Sequence, residues 1–140
     1  MSPEQLLGQM EAGDRLVIAD MEAGVWNLSR MRASSLDAVL VVVEPSARSI
    51  EVARRARDIA RERQVGPVRL IANRVRGEDD RLLLVRELGP VAWSVPEDMA
   101  ILDADRAGLS VLDAHPDAAA VSGIAAIGAW LVGQGTERAS

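Results

Sequence analysis

The sequence predicts an α/β fold, a mostly parallel sheet of about four strands with helices on both faces. Three observations carry that expectation. Short aliphatic runs recur along the chain, segments of helical period fill the intervals, and Gly, Pro or Asp punctuates most junctions. Continuous rather than alternating Val, Leu and Ile runs mark strands covered on both faces, the habit of parallel sheets. Strand and helix in alternation then imply right-handed βαβ crossovers, with a site at the carboxyl ends of the strands.

The elements follow in order. Ser2, Pro3 and Gln5 form a capping box, which predicts a helix over 3–11 that stops near Gly13. RLVIAD (15–20) is a short apolar run, expected as a buried strand, and DAVLVVVEP (37–45) is a clearer one stopped by Pro45. In 47–64 a stripe of Val52, Ala53, Ala56, Ile59 and Ala60 defines an amphipathic helix ended by Gly66. Its arginines lie mostly outside that stripe. Glu51 with Arg55, and Arg54 with Asp58, stand four apart and can pair, so the face reads as solvated rather than as a basic patch. VRLIANR (68–74) is the third strand and VAWSVP (91–96) the fourth. Between them 78–88 makes a helix with acids in its first turn and Gly89 after its end. A last helix over 117–132 begins after Pro116 and stops at Gly133, leaving 134–140 as a disordered tail behind a single domain of 1–133.

Composition narrows the functional classes. A chain of 140 residues that is 49% hydrophobic and 26% charged suits one globular domain. A net charge of −5 lacks the positive field that nucleic acid requires, so no nucleic-acid partner is expected. There is no cysteine and one histidine, His115, which excludes thiolate metal sites and imidazole clusters; His115 itself reads as a surface loop residue. The start lacks the basic and apolar regions of a signal peptide and the longest apolar run is too short to span a bilayer. The expectation is a cytoplasmic chain without membrane contact. All 16 basic residues are arginine, so these residues contain no lysine for a phosphate-binding loop.

At their carboxyl ends the predicted strands deliver Asp20 followed by Glu22-Ala23-Gly24, then Glu44-Pro45, then Asn73-Arg74, then Pro96-Glu97-Asp98. Each has a plain structural alternative: Asp20 as a turn former, Asn73 as a turn closer, and Pro96-Glu97-Asp98 as a helix start. Trp26, in the turn after Gly24, reads either as packing or as a contact for another chain.

Taken together and in order, four segments resemble the C-terminal half of the MinD/ParA-type deviant P-loop ATPases, a partial P-loop NTPase fold of SIMIBI type. They are VIADMEAG, VVVEPSARSIEVARR, IANRV and VPEDMAILDADRAG. Within that group the similarity is greatest to the nickel-insertion accessory ATPases of carbon monoxide dehydrogenase, the CooC family, over roughly residues 12 to 115.

The resemblance implies roles. Asp20 would hold Mg²⁺ through water, as a hard oxygen donor suits. Ala23 and Gly24 would form the turn that senses the γ-phosphate. Asn73, with Arg74 beside it, would read the adenine edge, its amide offering both donor and acceptor. Pro96, Glu97 and Asp98 would line the base pocket. The first βα unit with its phosphate loop has no counterpart in this sequence, nor does the family's Cys-x-Cys pair, and Trp26-Asn27 stands where the family has Glu-His. The expectation is therefore an ATP-binding module that needs ATP and Mg²⁺ together with a completing chain, and no nickel or zinc site. A protein partner or homo-oligomer follows from that. The alternatives are a non-catalytic interaction or dimerisation domain derived from such an ATPase, and a truncated gene product.

Overall fold

The computed structural model of the chain describes residues 15–21, 30–33 and 36–138. The predicted helix over 3–11, the turn residues Ala23 and Gly24, and Trp26 lie outside them. Three parallel strands alternate with helices: β1 (Val39–Val43), α1 (Ala47–Glu62), β2 (Val68–Val75), α2 (Glu78–Leu88), β3 (Trp93–Pro96), α3 (Met99–Arg106), α4 (Val111–Ala114) and α5 (Ala119–Arg138). The sheet order is β1-β2-β3, both pairings parallel, with Val41 opposite Leu70 and Ile71 opposite Trp93.

The α/β class with a parallel sheet and helices on both faces is as expected, but the sheet has three strands among the described residues. RLVIAD (15–20) forms no strand there and is exposed, with Ile18 at 72%. An apolar run becomes a strand only when its backbone is paired with a neighbour, and among the described residues this one has no strand partner.

Alternation along the strands divides the core between two faces. On one face Val39, Val41, Val43, Leu70 and Ala72 meet Ile50, Ala53 and Ala60 of α1 and Leu84 and Leu88 of α2. On the other Ile71 and Val95, with Leu40 and Trp93, meet Ala120, Ile127 and Leu131 of α5. Because α5 packs on this second face toward β3, Val42 of β1 is left 56% exposed. Cover on both faces, expected for every strand, is incomplete for β1.

Polar ties fix the helices. Ser46 caps α1 by accepting from the Ser49 N–H. Arg54 reaches across to Glu87 at 3.1 Å, and the guanidinium of Arg57 donates to the Leu88 carbonyl, so α1 supplies cations where α2 presents its carbonyl end. Arg55 pairs with Glu51 at 2.9 Å as expected; Arg54 takes Glu51 and Glu87 rather than Asp58, whose partner is its neighbour Arg57. Helix α5 is held at both ends of its buried stretch. Near its start Gly123 packs against β3, where a Cβ would stand 3.3 Å from the Ser94 carbonyl oxygen. Farther on, Trp130 meets Trp93 with ring centroids 5.1 Å apart, and Arg69 lies 5.9 Å from the Trp130 ring.

Candidate functional site at the strand tips

In parallel sheets the residues after each strand converge on one end of the molecule, and here that end carries charge. Glu44 directly follows β1, Asn73 and Arg74 close β2, and Glu97 directly follows β3. Arg74 joins the three tips. Its guanidinium lies 3.1 Å from a Glu97 oxygen and 3.7 Å from a Glu44 oxygen. Glu44, Arg74 and Glu97, with Pro45, Ser46 and Arg76, line a shallow crevice of about 190 Å³, and Asn73 is not among its lining residues.

The backbone at this point is unusual. Arg74 has φ 54°, in the left-handed region that an L-residue with a full side chain seldom occupies, and the β2–β3 register shifts between Ala72 and Val75. Left-handed geometry costs such a residue roughly 1–2 kcal/mol. The shift lets Arg74 leave the sheet and lie between the flanking strand tips, while the Glu97 N–H still donates to the Val75 carbonyl at 3.0 Å. Asn73 is half-buried, and among the described residues its amide makes no side-chain hydrogen bond.

The other predicted residues are placed differently. Asp98, one residue beyond Glu97, is the N-cap of α3: its oxygens accept from the Ala100 N–H at 3.0 Å and the Ala120 N–H at 3.1 Å. These donors, Ala120 first and then Ala100, hold its carboxyl below the usual aspartate value. Asp98 thus ties α3 to the start of α5, which is the structural alternative the sequence left open for it. Pro96 ends β3 opposite Val75 and does not line the crevice. Asp20 is exposed and makes no hydrogen bond or ion pair with Glu44, Arg74 or Glu97. Among the described residues no group of three or more His, Cys, Asp or Glu is placed to hold a metal ion. Sequence reasoning placed Glu44 at a strand tip without giving it a role; the signal that it belongs to the site is its ion pair with Arg74.

The molecule is therefore a parallel α/β domain with a polar crevice at its strand tips, the arrangement that nucleotide-binding folds use. No family model matches the chain. Individual proteins do: an uncharacterized ATP-binding protein of Methanocaldococcus jannaschii is 34% identical over 99 residues, 68% of this chain and 38% of that protein. The carbon monoxide dehydrogenase accessory protein CooC of Rhodospirillum rubrum is 32% identical over 102 residues, 71% of this chain and 39% of CooC. Another uncharacterized ATP-binding protein of M. jannaschii is 32% identical over 139 residues, covering 94% of this chain and 52% of its own length. The chain is homologous to part of each of these proteins, CooC among them. It spans roughly 40–50% of the length of the relatives it matches.

Proposed function

We propose that the chain forms the base-side part of an ATP site, with Asn73, Arg74 and Glu97 receiving the adenine end. The observation that carries this reading is the meeting of Arg74 and Glu97 at adjacent strand tips, with Asn73 next to Arg74 in β2, in a chain whose relatives include ATP-binding proteins. An amide and a carboxylate supply the donor and acceptors that an adenine edge requires. The guanidinium adds a flat cationic face for stacking.

Grip on the phosphates is a separate requirement. These 140 residues contain no lysine, and one carboxylate, Asp20, is the donor offered to Mg²⁺. A hydrated Mg²⁺ is held jointly by a protein carboxylate and by phosphate oxygens, so Asp20 fits that ion only with the triphosphate fixed beside it. The phosphate loop then comes from outside these 140 residues, Ala23 and Gly24 sense the γ-phosphate, and hydrolysis belongs to the completed site.

Calorimetry separates the two parts. The chain alone should bind ATP with Mg²⁺ no more tightly than it binds adenosine. Adding a polypeptide that carries the phosphate-loop βα unit should bring Kd to about the micromolar range and produce ATPase activity that Asp20→Ala removes. Micromolar ATP binding by the chain alone would refute the need for completion.

A second reading, a non-catalytic interaction domain, is favoured by β1, which among the described residues has no strand on its outer side and leaves Val42 exposed on one face. Partner binding that survives Asp20→Ala, with no ATPase in any mixture, would select it.

A further inference from the structure

The side chain at the tip of β1 has no role in the reading above, and its position suggests one. We propose that Glu44 binds the ribose of the nucleotide through its vicinal hydroxyls. The inference rests on the base-side reading of Asn73 and Glu97.

The order β1-β2-β3 sets the strand tips in a row, with neighbouring strands about 4.8 Å apart. A base seated between the β3 and β2 tips carries its sugar one step along that row, over β1. The phosphates then project past the open side of β1, where a completing element would stand. Glu44 lies under the sugar in this arrangement, between the base end and the phosphate end.

Its local geometry suits the task. The Glu44 N–H donates to Ser49 Oγ at 2.9 Å, and its carbonyl accepts from the Ser46 N–H at 2.8 Å, so the backbone is fixed on both sides of the side chain. The carboxylate has no comparable restraint. Arg74 donates a hydrogen bond to Glu97, whereas Glu44 stands 3.7 Å from the guanidinium, an ionic contact without a hydrogen bond. An ionised carboxylate is acceptor-only, and a ribose diol presents two donors on adjacent carbons, which the two oxygens can receive together. Arg74 stands beside the carboxylate at the crevice, 3.7 Å away, without occupying it by a hydrogen bond.

The test uses the chain as it is. Adenosine, 2′-deoxyadenosine and 3′-deoxyadenosine are titrated into wild type, Glu44→Ala and Glu44→Gln, with binding followed by NMR shifts and folding checked by thermal melts. Wild type should prefer adenosine over each deoxynucleoside by at least about tenfold, the lower end of what a hydrogen bond to a charged group contributes. Glu44→Ala should make all three ligands equal. Glu44→Gln, which keeps an acceptor oxygen but loses the charge, should retain part of the preference. A preference that persists unchanged in Glu44→Ala overturns the ribose assignment and leaves the base-side reading standing. Failure of wild type to bind adenosine at millimolar concentration overturns both, and is seen before any substitution is made.

Discussion

Glu97 and Asp98 are adjacent carboxylates with different tasks, and the backbone decides which is which. Glu97 extends toward Arg74, while Asp98 turns back to accept the N–H groups of Ala100 and Ala120. Those donors favour the charged form and lower the folded-state value, Ala120 contributing most. The stabilisation from Asp98 is therefore complete above the ordinary value of 3.8 and is lost as pH falls through the lower folded value. Asp98→Asn turns one oxygen into an NH₂ group that faces a backbone donor. Its melting temperature should fall below that of wild type at pH 7, and the gap should close as the pH is lowered from 4 toward 2. Circular dichroism melts across that range check this; a gap constant with pH would show that charge is not the cause. The left-handed backbone of Arg74 is a second residue-scale feature, and no motif foretold it, since glycine is the residue expected at such a φ.

Between elements, the crossover from α1 to β2 depends on a close backbone approach. Leu36 donates its N–H to the Val65 carbonyl at 3.0 Å and Val39 donates to Pro67 at 2.8 Å, so the strand entering β1 lies against the turn entering β2. Gly66 sits between those bonds, and a Cβ there would overlap the Leu36 carbonyl oxygen. Val65 is fully buried, which leaves the turn no easy retreat. Gly66→Ala should cost about 1–3 kcal/mol, the range for overpacking a fixed site. Urea denaturation should show a lower midpoint with an unchanged slope; a loss below about 0.5 kcal/mol would mean that the contact is loose. The same region shows what local pattern can and cannot reveal. The strands at 39–43, 68–75 and 93–96 were legible because their aliphatic runs are buried where they lie, and α1 and α2 because caps and periodicity agree. RLVIAD has an equally good local pattern, but strand pairing is a property of the neighbour, which no run of residues encodes by itself. Helix α5 passes Gly133 to Arg138 because a glycine costs only about 1 kcal/mol inside a helix that its flanking residues support. Helices α3 and α4 were not read as helices, although Pro96-Glu97-Asp98 was recognised as a possible helix start: α3 buries only Ala104, too faint a stripe to detect. For the site, strand-tip position was legible for Asn73, Arg74 and Glu97, while the role of Glu44 emerges only from the bridge that Arg74 makes.

At the scale of the whole molecule the two sheet faces are unequally covered, and the unequal cover has consequences in solution. β1 forms one edge of the sheet, and among the described residues no strand pairs with its outer side. Val42 on that strand is 56% exposed, and Leu16 and Ile18 are 54% and 72% exposed. Unpaired strand edges and exposed aliphatic side chains are features to which other chains add. The chain alone should therefore self-associate as its concentration is raised. Val42→Lys places a charge on the exposed face of β1 and removes a valine whose burial in an interface is worth about 1.5–3 kcal/mol. Sedimentation velocity should then show association at least about tenfold weaker, that is, monomers persisting to tenfold higher concentration. Because Val42 is exposed within the chain, the substitution should change unfolding free energy by no more than about 0.5 kcal/mol. A wild-type chain that stays monomeric at several hundred micromolar, on the order of a weak encounter, would show that the edge is protected. A large loss of stability in Val42→Lys would show instead that the chain covers Val42 itself, and the exposed face of β1 would then be unavailable to another chain.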